Sequence, residues 1–499
     1  MGLGSKILTR IEPTIELDKL KFKSYGEKEG ENPGDSNTSK DMGVEHPLIT
    51  INKYRFKKDD IKSFEIALEG VVPSIELTIL DSRSQFTGDS FPRDGDVISV
   101  RLAARAKDTY KDIRIDFDIT SIDSPPRDNV SIGNGGGKYS FSGTMKIPGL
   151  YAEQCKSYGV GTTLEHLEQI ATDLKIGLAS NVDITDDSMN VITTYEPIVD
   201  TIDNLVKHSY VSDDAFQTYC IDPYYYINYI DLNVLLNADE GFEEMLASMD
   251  VDFNDVLHPD ASEGTNNMKS SLILTSHEKL KGTNLFITKY ALKNNTGENV
   301  KSHGYKRVLQ FFENESEEGL VSFDVEPLTS TTLGELFEPL KGRRGEERYK
   351  QEIKYKYVGR RHSDTDTLNT HVNYNFAEIH NKQNLQELDK MYLEVELSTW
   401  NPAIYRYQKI PIAIYNTTMN HIGIDTEIKT RKEKLGFEAK NKSDFNNELS
   451  DKSSVDEFLS GFYIVGSIRY TYKQSDGFIK QQMTLLRREW PSRLNNLEG

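Results

Sequence analysis

Cysteine and tryptophan are scarce in this chain of 499 residues, which has two of each. Cys155 and Cys220 stand apart with no C-x-x-C anywhere, which excludes a disulfide framework and a cysteine-rich zinc site. That usage fits folding in a reducing cytoplasm. Long apolar runs are also missing. No window approaches the roughly 18 uninterrupted apolar residues of a spanning helix, and mean hydropathy is −0.57, so no stable membrane insertion is expected. Lys6 and Arg10 have no continuous apolar stretch behind them, so Met1 to Glu12 does not read as a secretory signal. Basic charge is short as well. Lys plus Arg number 59 against 79 Asp plus Glu, a formal net charge of −20. A protein that grips nucleic acid needs a basic surface to displace counterions from phosphates. This balance points instead to solubility, to a surface that repels passing DNA, or to docking of a basic partner.

The patterns that carry chemistry fail on spacing. Gly133 to Lys138 (GNGGGK) lacks the Gly of a phosphate-binding loop at Ile132 and its Ser or Thr at Tyr139, so it reads as a hairpin loop. Asp250, Asp252 and Asn254 open like a calcium loop, but Asp255 stands where Gly is required and Ala261 where Glu is required. His371 and His380 are nine apart with no helical partner, and neither H-E-x-x-H nor G-x-S-x-G occurs. The basic patch of Lys341, Arg343, Arg344, Arg348, Lys350, Arg360 and Arg361 sits in an acidic chain and reads as a docking surface or a solvated loop. No catalytic residue, no metal site and no cofactor is therefore expected.

What is present is β structure. The 26 Tyr and 21 Phe suit strands and protein contacts. Residues two apart fall on one face in Phe64-Ile66-Leu68 and Ile75-Leu77-Ile79. Val97 to Leu102, Ile113 to Ile119 and Tyr139 to Ile147 follow, spaced as in a small antiparallel barrel or sandwich. After Thr162 the period turns helical through Leu164, Leu167, Ile170, Ala171 and Leu174, with Thr162 and Glu165 fitting a capping box and Gly177 as a stop. A second helix is expected from Pro197, with Ile198, Ile202, Leu205 and Val206 on one stripe. Strands return at Leu393-Val395-Leu397, Ile410-Ile412-Ile414, Tyr463-Val465 and Ile479 to Leu486. One internal echo stands out. Phe117-x-Ile119-x-Ser121-Ile122, later followed by Phe141-x-x-x-Met145, matches Tyr463-x-Val465-x-Ser467-Ile468, later followed by Ile479-x-x-x-Met483.

Three stretches together resemble the baseplate hub proteins of contractile-tailed bacteriophages. They are Val72 to Leu80 with Phe91 to Asp96 and Phe117 to Ile122; Tyr139 to Ile176 (with FSGTMKIPGL and Tyr158 to Thr163) running on to Asn181, Thr185, Asp187, Met189 and the Ile221 to Tyr229 run; and Gly461 to Tyr472 with Met483 to Trp490. The resemblance covers roughly 45–235 and 385–490. It implies a homotrimer in which each subunit carries two tube-type barrels. Such a trimer forms a pseudo-six-fold ring between the hexameric tail tube protein and the trimeric central spike, and meets neighbouring baseplate proteins. DNA would pass through without sequence-specific contact. The virion tail would be the destination and the host cytoplasm the place of assembly.

The fold class expected is mainly β with α+β insertions. The expected division is an N-terminal arm, 1–43, partly flexible; a first barrel, 44–148; an inserted α/β domain, 149–221; a second barrel, 222–240 plus 388–490; a peripheral insertion, 241–387; and a tail, 491–499. The ring is expected to use Val97, Val100 and Leu102, Leu393, Val395 and Leu397, and Ile410, Ile412 and Ile414, with Trp490 as a structural anchor. Two other readings are a tail-tip cell-wall hydrolase, for which no lytic module is visible, and a trimeric spike or carbohydrate-binding tail protein, for which a long repetitive β-prism is expected after Trp490.

Overall fold

The computed structural model describes residues 7–15, 47–82, 86, 91–103, 112–124, 137–236, 274–276, 281, 283–295, 306–312, 320–325, 352–357, 371–415, 456 and 459–487, except 53, 94 and 372. The first section holds β1 (Leu8–Ile11), β2 (Leu48–Ile51), β3 (Tyr54–Arg55), β4 (Ile61–Leu68), β5 (Ser74–Asp81), β6 (Val97–Leu102), β7 (Ile113–Asp123) and β8 (Gly137–Met145). Next come β9 (Glu153–Gln154), β10 (Ser157–Gly161), α1 (Thr163–Leu174), β11 (Gly177–Ser180), β12 (Met189–Ile192), β13 (Glu196–Pro197), α2 (Ile198–Lys207), β14 (Gln217–Ile221), β15 (Tyr226–Asp231) and α3 (Leu232–Leu236). The last section holds β16 (Leu274–Thr275), β17 (Ile287–Asn294), β18 (Lys306–Phe312), β19 (Leu320–Val325), β20 (Glu352–Tyr357), α4 (Tyr374–Leu388), β21 (Met391–Leu397), β22 (Lys409–Ala413), β23 (Gly461–Lys473) and β24 (Ile479–Leu486). The fold is mainly β with an α/β section.

A 13-stranded sheet dominates, in the order β17-β21-β24-β23-β4-β5-β8-β7-β6-β2-β3, with β22 joined to β23 and β16 to β22. Alternation drives it: Phe64, Ile66 and Leu68 of β4 and Ile75, Leu77 and Ile79 of β5 are buried, while the residues between them are not. Each fully buried side chain of this size contributes about 1.5–3 kcal/mol.

The sheet contains one strand plan twice. β4-β5-β8-β7-β6-β2 and β17-β21-β24-β23-β22-β16 run in the same order. Their irregularities coincide. A register shift between Ile61 and Ser63 on β4 answers to one between Ile287 and Lys289 on β17. A shift between Ile119 and Ser121 on β7 answers to one between Val465 and Ser467 on β23. Gly95 donates its N–H to Ile119 O at 3.2 Å, and Tyr407 donates to Val465 O at 2.7 Å; both donors have positive φ, 84° and 62°. Bulges are built into a strand pairing at chosen places, so two matching bulges and a matching turn mark a duplication. β16 is the departure, lying parallel to β22 where β2 is antiparallel to β6. The sequence echo holds for Phe117 to Ile122 against Tyr463 to Ile468. It slips by four on the partner strand: Phe141, opposite Ile122, answers to Met483, opposite Ile468, so Met145 and Met483 are not counterparts.

The α/β section builds on the mixed sheet β1-β11-β15-β14. Helix α1 has the expected capping box, with Thr162 Oγ1 accepting from Glu165 N and Glu165 Oε2 accepting from Thr162 N. It stops at Lys175, in the left-handed region at φ 58°, ahead of Gly177. Three expected boundaries shift. Of the 222–240 segment, the described residues 222–236 belong with this sheet and not with the second barrel, because Asp222 accepts from Tyr224 N and Tyr226 N and turns β14 back into β15. The span 241–387 supplies β16 and β17 to the main sheet. The N-terminal arm supplies β1, which pairs with β11. Its polar stretch at 24–43, the calcium-like loop and the basic patch side chains lie outside the described residues.

Candidate assembly interface

The two six-strand units meet inside the chain where β23 pairs with β4. Ile468 lies opposite Leu68, Arg469 opposite Ala67, Tyr470 opposite Ile66 and Tyr472 opposite Phe64. This seam is apolar on one face and charged on the other. On the apolar face Phe64 and Tyr472 stack with centroids 5.4 Å apart and planes at 13°, and buried Trp400 meets Tyr470 edge-on at 6.2 Å. Burial pushes the Tyr470 phenol far above its ordinary range, so it stays neutral. On the charged face Arg469 donates to both carboxylate oxygens of Glu69 at 2.8 and 2.9 Å and reaches Glu65 at 3.1 Å. Pairs this exposed contribute little stability but fix register. Arg406 adds a clamp: its guanidinium donates to Gly466 O at 2.7 Å and Glu69 O at 3.0 Å, and also to Gly70 O.

The counterpart edges of this seam, the end of β7 beyond β6 and the outer side of β17, carry no described strand. On β23 one edge carries β22 over Lys409 to Ile412 and then β4. On β7 the same edge carries β6 along Ile113 to Asp118, and no described strand covers the rest, where Thr120, Ser121 and Asp123 are exposed. At the far end β17 pairs only with β21 among the described strands, and Thr288 to Asn294 are exposed. Rows across the sheet set the equivalence. Phe64–Leu77–Phe141–Ile122 matches Tyr290–Val395–Met483–Ile468. Phe64 is 2% exposed and Ile66 0%, whereas their counterparts Tyr290 and Leu292 are 42% and 36% exposed.

The structure places the residues expected at the ring as follows. Val100, Leu102, Leu393, Val395, Leu397, Ile410, Ile412 and Ile414 are buried inside the subunit, and Val97 is half-buried. Their strands build the units, while the side chains that reach an open edge are on β17 and β7. Trp490 lies outside the described residues. Sequence reasoning passed over β17, Arg406, Arg469 and Asp123. The signal that could have found Arg469 and Asp123 was the echo itself, since each follows its echoed Ile by one residue.

Other titratable groups sit elsewhere. His371 Nε2 bonds His208 O at 2.8 Å and His380 Nε2 bonds Asn384 at 3.0 Å, so the two histidines face different partners. Burial pushes the Cys220 thiol up to about 11 and the Asp231 carboxyl up to about 6. Among the described residues, no group of three His, Cys, Asp or Glu is arranged to hold a metal ion. No helix among them is long and apolar enough to cross a membrane.

No family model matches the sequence, and no curated protein matches it. Solved structures with similarity include the 43 kDa tail protein of prophage MuSo2 from Shewanella oneidensis, at 9% identity and a TM-score of 0.48, covering 89% of this chain and 99% of that one. The tail protein from Neisseria meningitidis MC58 is 8% identical with a TM-score of 0.45, covering 89% and 97%. The E. coli c3393 protein, a component of the type VI secretion system with structural similarity to the T4 bacteriophage tail proteins gp27 and gp5, is 8% identical with a TM-score of 0.39, covering 89% and 78%.

Proposed function

We propose that this chain is a structural subunit of a contractile-phage tail, the baseplate hub, which acts as a homotrimer and not as an enzyme. One observation carries the reading: two copies of one strand plan are joined edge to edge in the chain, and the matching edges, the end of β7 beyond β6 and the outer side of β17, carry no described strand. Three such chains in a closed ring would present six near-equivalent units around an axis that is only three-fold. A hexameric tail tube can stack on one face of such a ring and a trimeric central spike on the other, with neighbouring baseplate proteins outside. The strands of Val97 to Leu102, Leu393 to Leu397 and Ile410 to Ile414 form the body of each unit in this reading.

The polar face of the sheet supports passage of DNA. It carries Glu65, Glu76, Asp116, Asp118, Glu394 and Glu396 interleaved with Arg114, Lys138, Lys289, Lys293, Arg469 and Lys480 among Ser and Thr. A lumen with this mixed lining presents no basic surface to grip phosphate, so DNA can slide. Light scattering across a concentration series tests the proposal. Three times 56.8 kDa, with ring-shaped particles in negative stain, is the expected result. Closed rings of another copy number, or a strict monomer that also fails to join a tube or spike protein, would overturn it.

A further inference from the structure

The internal seam and the open ends carry opposite charge polarity. At the internal seam the cation is on β23, Arg469, and the anions are on the β4 side, Glu65 and Glu69. Moved to the other unit through the shared bulges, Arg469 becomes Asp123, because Ile468 answers to Ile122. On β17, Ser63 and Ala67 of β4 become Lys289 and Lys293. The acid is now on the β7 edge and the bases are on the β17 edge. Arg469 lies opposite Ala67, so a β17 seated on β7 in the same register brings Lys293 opposite Asp123. Leu292 then takes the place of Ile66, opposite Ser124, which stands where Tyr470 does at the internal seam.

We infer that the occupant of the Leu292–Asn294 end of the exposed β17 edge is the Ile122–Ser124 edge of a second copy of this chain, selected by a Lys293–Asp123 pair of reversed polarity. This rests on the ring proposed above. Charge supplies the selection: a second copy's β17 offered to β23 would set Lys293 against Arg469, and like charges directly opposite are destabilising. The internal seam and the seam between copies are thereby kept from exchanging partners. Lys289 and Lys293 also reach Glu396 and Glu394 of their own sheet, at 3.3 and 3.7 Å, with 73% and 48% of their side chains exposed. Lysine on an edge strand can serve only to discourage edge-to-edge association, and the experiment separates that role from this one.

Full-length K293D, D123K and the double variant K293D/D123K are compared with wild type by light scattering on dilution. Either single change should raise the concentration at which assembly half-dissociates by about tenfold or more, as expected for opposed like charges. The double variant should return to within about threefold of wild type, since the pair is rebuilt with exchanged sign. Assembly indifferent to the single changes, or strengthened by K293D, means that the lysine only guards the edge and overturns the inference while leaving the ring in place. A second arm places cysteines at Asp123 and Lys293 in a chain with C155S, to remove the exposed thiol. Disulfide-linked multimers on a denaturing gel support the seam even if dilute wild type runs as a monomer. A monomeric wild type whose cysteine variant also stays monomeric overturns the seam, and the ring falls with it only if the chain also fails to join a tube or spike protein.

Discussion

β4 and β17 hold the same place in two copies of one strand plan, yet one is buried and the other bare. Phe64 and Ile66 are covered by β23, while Tyr290 and Leu292 face outward. The strands differ in their neighbours more than in their own register, since both begin with a buried Ile and a bulge two residues on. Exposure of an apolar strand edge here is therefore a property of the single subunit. Without its internal copy, β17 would read as an irregular surface ribbon.

The largest expected effect breaks the symmetry of that pair. Phe64→Ala should lower subunit stability by about 3–5 kcal/mol, the usual cost of emptying a buried aromatic site. Tyr290→Ala should cost under about 0.5 kcal/mol, as surface changes do, while weakening self-association. Denaturant unfolding and light scattering on both variants check this, and equal losses of stability would deny the equivalence. Next comes the clamp. Arg406→Ala leaves three carbonyls at the seam without their charged donor and should cost about 2–3 kcal/mol, read as a lower denaturation midpoint.

A smaller effect compares the bulges. Gly466 answers to Thr120, but a Cβ at Gly466 would come within 2.8 Å of the Leu486 side chain. Gly466→Ala should cost about 1–2 kcal/mol as overpacking, against less than about 0.5 kcal/mol for Thr120→Ala. The smallest effect distinguishes the seams from the packing of α4. His208 stacks on Tyr374 at 3.6 Å and lies beside Lys207, Glu378 and His371, while His371 faces Asp186 and Asp187. Burial holds both imidazoles below their usual range. The unfolded chain takes up protons first as pH falls, so this stability is full at neutral pH and declines below about 6.5. Lower protection of α4 amides as pH falls from about 7 to 5, after allowing for the slower intrinsic exchange in acid, with the protection of β4 and β23 unchanged, is the expected outcome.

Much of the fold was legible because strand alternation is local. Phe64-Ile66-Leu68, Ile75-Leu77-Ile79 and Leu393-Val395-Leu397 all face the core as their spacing requires. The capping box at Thr162 was legible for the same reason. β17 was not, since a strand with only Ile287 buried leaves no alternation to read. The turn at Asp222 was hidden in an aromatic run that looks continuous, because a side-chain bond to two following N–H groups has no periodicity. The candidate interface was the least legible part. The expected residues were the most apolar ones, and these went to the interior of each unit. The open edges carry Lys293 and Asp123, whose roles appear only when the two units are laid over one another.

Joining the two units in one polypeptide has a consequence for assembly kinetics. In the proposed ring, three of six junctions form by folding, at the high effective concentration of tethered segments. Only three junctions between separate molecules remain, made by two encounters and one ring closure. Ring formation then scales with the third power of subunit concentration, where six free single-unit proteins would require the sixth. Such a ring could nucleate at concentrations where a ring of separate units would stay dissociated.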